Sequence, residues 1–268
     1  MKISSLISAI TLAAVMCGCS AAETAQSAPD ANVQLASKTV ETTATENEVP
    51  DDGSVFTDLT KGASDKYTCA DGWCNGSMFN VTWRKDNVRF EDGVMKLFID
   101  KDKQPSDGVP YSGAEYRSND FFGYGRYEVE MKAIKNDGVV SSFFTYTGPS
   151  DENPWDEIDI EILGKDTTKV QFNYFTNGKG EHEYLYDLGF DAAEWFHTYS
   201  FEWHEDKIVW YVDGKEAHTA DKDIPVTEGR IMMNTWCGKG VDGWLKKFDD
   251  TKLPVHAEYK SISYKPFE

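Results

Sequence analysis

The chain has 268 residues and a formal net charge of −19 at pH 7. A charge of that size is repelled by nucleic acid and by anionic membrane surfaces, which argues against both as partners. A neutral polysaccharide remains compatible with it, and we expect a monomer.

The first 19 residues predict a secretory signal. Lys2 precedes a largely apolar run over residues 3–15, which is too short to span a bilayer. The step Gly18-Cys19 resembles a bacterial lipoprotein signal, which would make Cys19 the lipidated first residue of the mature chain. The alternative is ordinary cleavage near Ala21. Either way we expect a secreted or cell-surface protein, with lipid-anchored attachment through Cys19 the favoured form.

Residues 20–54 predict a flexible tether. They are rich in Ala, Thr, Glu, Ser and Asn and contain no aromatic residue. Such a composition buries too little apolar surface to offset the entropy of ordering the chain. If Cys19 carries lipid, this segment would hold the following domain away from the membrane.

Residues 55–268 contain every Trp, Tyr and Phe of the chain and predict one all-β domain. Short alternating segments are separated by turn residues, as in strands. Asp213-Gly214 is a preferred pair for a tight hairpin between two of them. No stretch has a sustained helical period, which favours a sandwich or barrel. The predicted strands are residues 94–99, 124–131, 139–146, 170–175, 198–203, 208–212, 215–218 and 231–236.

Acids and isoleucines alternate without a break over residues 157–162. Alternation predicts a strand on which Glu157, Asp159 and Glu161 share one face while the isoleucines anchor the other. Like charges at neighbouring same-face positions repel. One interpretation is that the acids form the solvated outer face of an edge strand. The other is that they form a glycosidase carboxylate pair with a helper acid between them.

Several motifs resemble those of bacterial lichenases, the endo-β-1,3-1,4-glucanases of glycoside hydrolase family 16. The resemblance runs from about residue 75 to about residue 264 and includes SSFFTYTGP at 141–149, WDEIDIEILG at 155–164 and IMMN at 231–234. It implies a β-jelly-roll sandwich of two curved antiparallel sheets, whose concave face forms the substrate cleft.

The resemblance also implies a retaining endo-glucanase that hydrolyses β-1,4 bonds in mixed-linkage β-1,3-1,4-glucan, without a catalytic cofactor. Glu157 would be the nucleophile, Glu161 the general acid and base, and Asp159 a tuning group. On a straight strand the outer two Cα atoms would lie about 13 Å apart. Retaining enzymes need carboxyl groups about 5 to 5.5 Å apart, so curvature and side-chain inclination must close the gap. A laminarinase or transglycosylase of the same family, or a non-catalytic carbohydrate-binding jelly roll, are the alternatives.

The same motifs suggest which side chains bind sugar. A cleft that binds sugar needs both aromatic ring faces and polar side chains in its walls. Phe143 has the opposite parity to Phe144 and Tyr146, so we expect it in the core. The stacking candidates are Phe144, Tyr146, Trp155, Trp236 and Trp244, and the polar candidates are Asn75, Glu115, Arg117, Asn173 and Asn234.

Two departures from the lichenase pattern concern cysteines and calcium. Cys69 and Cys74 offer a short-range disulfide in an oxidising compartment, with Cys237 as a free thiol, but pairing of Cys237 with either stays open. Many members bind a structural calcium through an Asp where this chain has Lys260. An ammonium is a poor substitute for a carboxylate ligand, so we expect weak or absent calcium binding there.

Overall fold

A computed structural model describes residues 52–106 and 108–267 of the chain. The predicted signal, Cys19 and most of the predicted tether lie outside the described residues. Within the described part, no helix is long and apolar enough to cross a membrane. The strands are β1 (Val55–Asp58), β2 (Tyr67–Cys69), β3 (Val81–Trp83), β4 (Val88–Glu91), β5 (Val94–Ser106), β6 (Val109–Phe122), β7 (Gly125–Lys132), β8 (Val139–Thr147), β9 (Asp156–Leu163), β10 (Lys169–Phe175), β11 (Tyr184–Asp187), β12 (His197–Trp203), β13 (Ile208–Val212), β14 (Lys215–Ala220), β15 (Gly229–Cys237) and β16 (Val255–Pro266).

The strands form two layers. The front sheet has the order β11-β10-β9-β8-β15-β6, with β2 also on β6. The back sheet has the order β14-β13-β12-β7-β16-β5, with β1 on β16 and β4 on β5. Pairing is antiparallel except between β3 and β6. The long strands β5 and β6 pair with each other and join the layers at one edge. The predicted all-β class with two antiparallel sheets is confirmed.

Helical structure among the described residues is limited to single turns. These are the α-helical turn α1 (Asp242–Leu245) and the 3-10 turns Leu59–Lys61, Lys85–Asn87, Pro149–Asp151 and Asp250–Lys252. The turn α1 packs Leu245 into the core and places Trp244 beside the front sheet. It therefore belongs to the wall of the site described below.

Hydrophobic packing between the layers fixes the strand β9. Ile158, Ile160 and Ile162 point into the core and are fully buried. Two hydrogen bonds also cross from the back sheet: the Trp210 indole donates to the Asp159 carbonyl oxygen (3.1 Å), and the Tyr259 hydroxyl donates to the Ser142 carbonyl oxygen (3.0 Å). The backbones of β8 and β9 are thus held from behind by named side chains as well as by packing.

Each predicted strand is present, with ends that differ by a few residues. The hairpin at Asp213-Gly214 is also confirmed: both residues have positive φ, 48° and 72°, as the mirror-image turn requires. Phe143 is fully buried, as its parity predicted. The strands β1 to β4, β6, β11 and β16 were not predicted.

The disulfide predicted between Cys69 and Cys74 is wrong, because all three cysteines among the described residues are free. Cys69 ends the strand β2. The Cys74 sulfur turns back into its own loop, where it accepts a hydrogen bond from the Gly76 amide (3.2 Å). The expected free thiol of Cys237 is confirmed, and the thiol is fully buried.

Candidate active site

The strand β9 carries the three predicted acids on the face of the front sheet that points away from the core. We call this the cleft face. Asp159 is 5% exposed, and Glu157 and Glu161 are partly exposed. The buried isoleucines between them force this orientation, since successive residues of a strand point to opposite faces. The prediction of a three-acid face is confirmed.

Register places a partner beside each acid on both neighbouring strands. Directly opposed residues of antiparallel strands lie on the same face. Glu157 lies between Tyr146 and Phe175, Asp159 between Phe144 and Asn173, and Glu161 between Ser142 and Gln171. The acids therefore form the centre of a surface that spans β8, β9 and β10.

Glu157 accepts hydrogen bonds from two neighbours. The Trp155 indole donates to Oε2 at 2.5 Å, and the Asp159 carboxyl supplies a second hydrogen bond. Burial raises the pKa of Glu157 to about 7, while both hydrogen bonds act in the opposite direction. Of the three acids, it is the one whose ionised form is best supported.

The surroundings of Asp159 favour its neutral form. Burial, followed by the charges of Glu157 and Glu161, raises its pKa well above the usual range. Because a protonated carboxyl can donate, Asp159 is suited to donate to the Glu157 carboxylate.

Glu161 has the higher pKa of the two outer acids. Burial raises it to about 8, the charges of Glu157 and Glu183 act in the same direction, and a hydrogen bond from Gln171 acts against them. The Gln171 amide donates to Oε2 at 2.7 Å. The charge of Glu157 acts on Glu161 although four residues separate them.

The cleft face continues across β15 and β6. Asn234 opposes both Ser142 and Glu115, and it accepts a hydrogen bond from the Ser142 hydroxyl (2.7 Å). Burial raises the pKa of Glu115 to about 7, although Arg117 at 3.8 Å acts to lower it. The Arg117 side chain is partly exposed, with its guanidinium 5.7 Å from the Trp73 ring centre.

Sequence comparison identifies the family to which this chain belongs. Residues 75–255 match the profile described as Glycosyl hydrolases family 16. The chain belongs to this family.

Relatives of this family 16 domain carry glucanase names. A protein of Ruminococcus flavefaciens named "Xylanase/beta-glucanase" is 54% identical over 215 residues, which is 79% of this chain and 27% of that protein. A "Beta-glucanase" of Acetivibrio thermocellus is 58% identical over 194 residues, 72% of this chain and 57% of that protein. The chain thus spans between about a quarter and just over half of the length of these two relatives.

A solved structure confirms the jelly-roll architecture. It is a prokaryotic β-1,3-1,4-glucanase (lichenase) derived from a mouse hindgut metagenome, with a TM-score of 0.77 and 53% sequence identity, and the match covers 80% of this chain and 99% of that one. The sandwich predicted from the motifs is therefore the fold of this family 16 domain.

The aromatic candidates differ in how much ring surface they present. Trp155 is 38% exposed and stacks on Phe175, with ring centres 4.6 Å apart. Tyr146 is partly exposed, and a side chain at Gly148 would collide with its hydroxyl group. Trp236 is only 3% exposed because it packs against Phe79. Trp155 and Tyr146 are therefore open platforms, whereas Trp236 chiefly supports its neighbours.

Two polar candidates occupy contrasting positions. Asn75 lies on an exposed loop, where its side-chain oxygen accepts a hydrogen bond from the Trp83 indole (2.7 Å). Asn173 lies on the cleft face beside Asp159, and its buried Oδ1 has no hydrogen-bond partner. Glu115 Oε1 is in the same state. A buried acceptor without a partner is costly, so Asn173 Oδ1 is suited to receive a ligand hydroxyl, whereas Glu115 Oε1 already faces the Arg117 guanidinium at 3.8 Å.

Sequence reasoning missed Gln171, Phe175 and Ser142. All three lie on the cleft face and contact the acids or their neighbours. The parity of β10 could have identified two of them, because Gln171 and Phe175 alternate with buried residues in the same way as Asn173. Ser142 has the parity of Phe144.

Lys260, which the motifs align with the family calcium position, already has two neighbours. The Lys260 ammonium lies 2.9 Å from a Glu130 oxygen and 3.9 Å from the centre of the Phe196 ring. Among the described residues no group of three or more acidic, His or Cys side chains could hold a metal. A positive charge already stands at Lys260.

Proposed function

We propose that the domain is a retaining endo-β-1,3-1,4-glucanase that hydrolyses β-1,4 bonds in mixed-linkage β-glucan. The observation that carries the proposal is the row of three acids on the cleft face, with hydrogen bonds that favour ionised Glu157 and a higher pKa for Glu161. The names of relatives at over 50% identity support the same substrate class.

The two outer acids have different roles in the reaction. Ionised Glu157 attacks the anomeric carbon, while protonated Glu161 donates its proton to the departing glycosidic oxygen. The glycosyl-enzyme ester is then hydrolysed by a water that Glu161, now ionised, deprotonates, and configuration is retained. Asp159 donates to Glu157 and holds that carboxylate in place.

The substrate occupies the cleft face on both sides of the acids. Trp155 and Tyr146 offer ring faces, whereas Phe144, which opposes Asp159 on the same face, is only 6% exposed. Asn173, Glu115, Asn234, Arg117 and Asn75 offer polar groups to sugar hydroxyls. The net charge of −19 is no obstacle, because the polymer is neutral.

Hydrolysis of three glucans tests the assignment. The purified domain is incubated with barley β-glucan, laminarin and xyloglucan, and the products are separated by size. We expect short oligosaccharides from barley glucan alone. Glu157→Gln and Glu161→Gln should each lower the rate by several powers of ten, as loss of a nucleophile or proton donor does. Equal cleavage of laminarin by the wild type would instead identify a laminarinase.

We further propose that the enzyme is exported and anchored through lipid on Cys19, and that it works as a monomer. Cys19→Ala should move it from the membrane fraction to the medium, with unchanged activity per molecule. Retention in the membrane fraction would contradict the anchor, and a sedimentation mass above one chain would contradict the monomer.

We also propose that neither activity nor stability requires calcium, because the Lys260 ammonium occupies the region where other members hold the ion. Chelation should leave the melting temperature and the rate unchanged. A rise of several degrees on adding calcium would contradict this.

A further inference from the structure

The side of the back sheet that points away from the core carries exposed aromatic rings. The residues of β7 alternate, and Tyr127, Val129 and Met131 are buried in the core, so the residues between them point to the opposite side. We call that side the outer face. Its members on β7 are Arg126, Glu128, Glu130 and Lys132. The whole sandwich separates this face from the acids of β9.

The two most exposed aromatic side chains among the described residues both lie on the outer face. Phe56 of β1 is 70% exposed. It opposes Ser263 of β16, which in turn opposes Glu128, and directly opposed residues share a face. Trp195, in the loop before β12, is 69% exposed, and its ring meets that of Phe196 edge-on with 6.3 Å between the ring centres.

Two lysines place Phe196 and its neighbour Trp195 on this face. The ammonium groups of Lys260 and Lys132 lie 3.9 and 5.7 Å from the centre of the Phe196 ring. Because Lys132 points outward at the end of β7, Phe196 covers that end of the outer face. Trp195 stands beside it with most of its ring in solvent.

The cations of the outer face are each paired with a carboxylate. The ion pairs are Lys132 with Glu258 (2.5 Å), Lys260 with Glu130 (2.9 Å), and Arg126 with Glu128 (3.1 Å) and Glu202 (3.0 Å). These seven side chains carry three positive and four negative charges, whereas the whole chain has a formal net charge of −19. The face therefore has no excess of positive charge to attract a polyanion, yet it offers donors and acceptors to hydroxyl groups.

We propose that the outer face binds a β-glucan chain, as a second polysaccharide-binding surface remote from the acids. The proposal rests on the glucanase function proposed above, because the ligand is the polymer that the enzyme cuts. The rings of Phe56 and Trp195 offer apolar surface to the C–H faces of pyranoses, and the paired charges offer partners to their hydroxyls.

The layout of the outer face favours a neutral polymer over other occupants. The strands β16 and β7 separate β1 from β12, a distance of about 14 Å at the usual strand spacing, so one sugar ring cannot contact both aromatic side chains. A neutral chain also complements a face whose charges nearly cancel. A protein partner fits less well, because the core of a protein interface is depleted in charged residues.

Retention in a native gel that contains barley β-glucan measures this binding. Every protein in the gel carries Glu157→Gln, so that the polymer is not cut. We expect Trp195→Ala and Phe56→Ala each to weaken the apparent affinity about fivefold, because one stacked ring is lost. In the active enzyme the same substitutions should raise KM on barley β-glucan. They should leave kcat/KM on a short mixed-linkage oligosaccharide, which occupies only the cleft, within about twofold of the wild type.

Val226→Ala is the control, because it removes a side chain that is 63% exposed from a loop whose backbone amide donates to Asp156, at the start of β9. It should leave retention unchanged. Unchanged retention in both ring variants, or equal losses on the polymer and the short oligosaccharide, would overturn the proposal. Loss of binding to phosphatidylcholine vesicles, or of a dimer, in ring variants with unchanged retention would identify lipid or a second copy as the occupant instead. If the wild type cleaves no β-glucan but the ring variants still weaken retention, the hydrolase function fails and the outer-face proposal stands.

Discussion

The two faces of β9 contrast in chemistry although they alternate residue by residue. One face carries Ile158, Ile160 and Ile162, each fully buried in the core. The other carries Glu157, Asp159 and Glu161, whose pKa values are all raised because burial disfavours their charged forms. The first face stabilises the fold, while the second works against it. Strand geometry couples them, so the buried face fixes where the acids point.

Ile160→Ala, on the buried face of β9, should have the largest effect on the free energy of unfolding. Truncation of a fully buried isoleucine leaves a cavity, which typically costs about 2 to 5 kcal/mol. Denaturant unfolding should show that loss, while the folded fraction at low temperature retains most of its rate. Val226→Ala, at a side chain 63% exposed, is the control and should cost much less. A loss below about 1 kcal/mol for Ile160→Ala would contradict this account.

Asp159→Ala tests the acidic face. Without the hydrogen bond from Asp159, the Glu157 carboxylate loses one of its two donors, and we expect kcat/KM to fall about a hundredfold. Asp159→Asn keeps a donor and should recover part of that loss. If both variants lose the same activity, the role of Asp159 is not donation to Glu157.

Glu161→Gln should show how much the ionisation of Glu161 lowers the stability of the fold at alkaline pH. The pKa of Glu161 is raised from an ordinary 4.5 to about 8 in the folded state. The resulting contribution to stability is full below the ordinary value and is lost as the pH rises through the folded value. The variant should therefore melt a few degrees above the wild type near pH 9 and close to it near pH 4. A lower melting temperature at both pH values would contradict the prediction.

Two neighbours of Glu161 should move the pH profile of kcat/KM in opposite directions. Gln171→Leu removes a hydrogen bond that lowers the pKa of Glu161, so the alkaline limb should rise by roughly half a pH unit. Glu183→Gln removes a charge that raises this pKa, so the limb should fall by a similar amount. The acidic limb, which reports the pKa of Glu157 at about 7, should move less. Shifts of the same sign in both variants would contradict the assignment of the alkaline limb to Glu161.

Local pattern was enough to predict β9 but not β6. The alternation at residues 157–162 directly reflects one buried and one open face. By contrast β6 contains Pro110, Gly113 and Asn119, which have low strand propensity. It is a strand because β2, β3, β5 and β15 pair with it, and that information is distributed along the chain.

The residues of the candidate site could be predicted from the sequence, whereas the energetics of their ionisation could not. Strand alternation identified the three acids, motif resemblance assigned their roles, and strand parity separated Phe143 from Phe144. The order of the pKa values was not accessible, because it depends on burial and on hydrogen bonds from Trp155 and Gln171. The buried state of Trp236 depends on Phe79, which is distant in sequence. Such contacts arise only when the loops close over the sheet.

The hydrogen bonds from Trp210 and Tyr259 to the carbonyl oxygens of Asp159 and Ser142 tie the candidate site to the back sheet. If heat detached the back sheet, the strands that carry Asp159 and Ser142 would lose their support at the same moment. Loss of hydrolysis on heating should therefore coincide with the cooperative calorimetric transition, rather than precede it as it does in enzymes whose catalytic loops melt first.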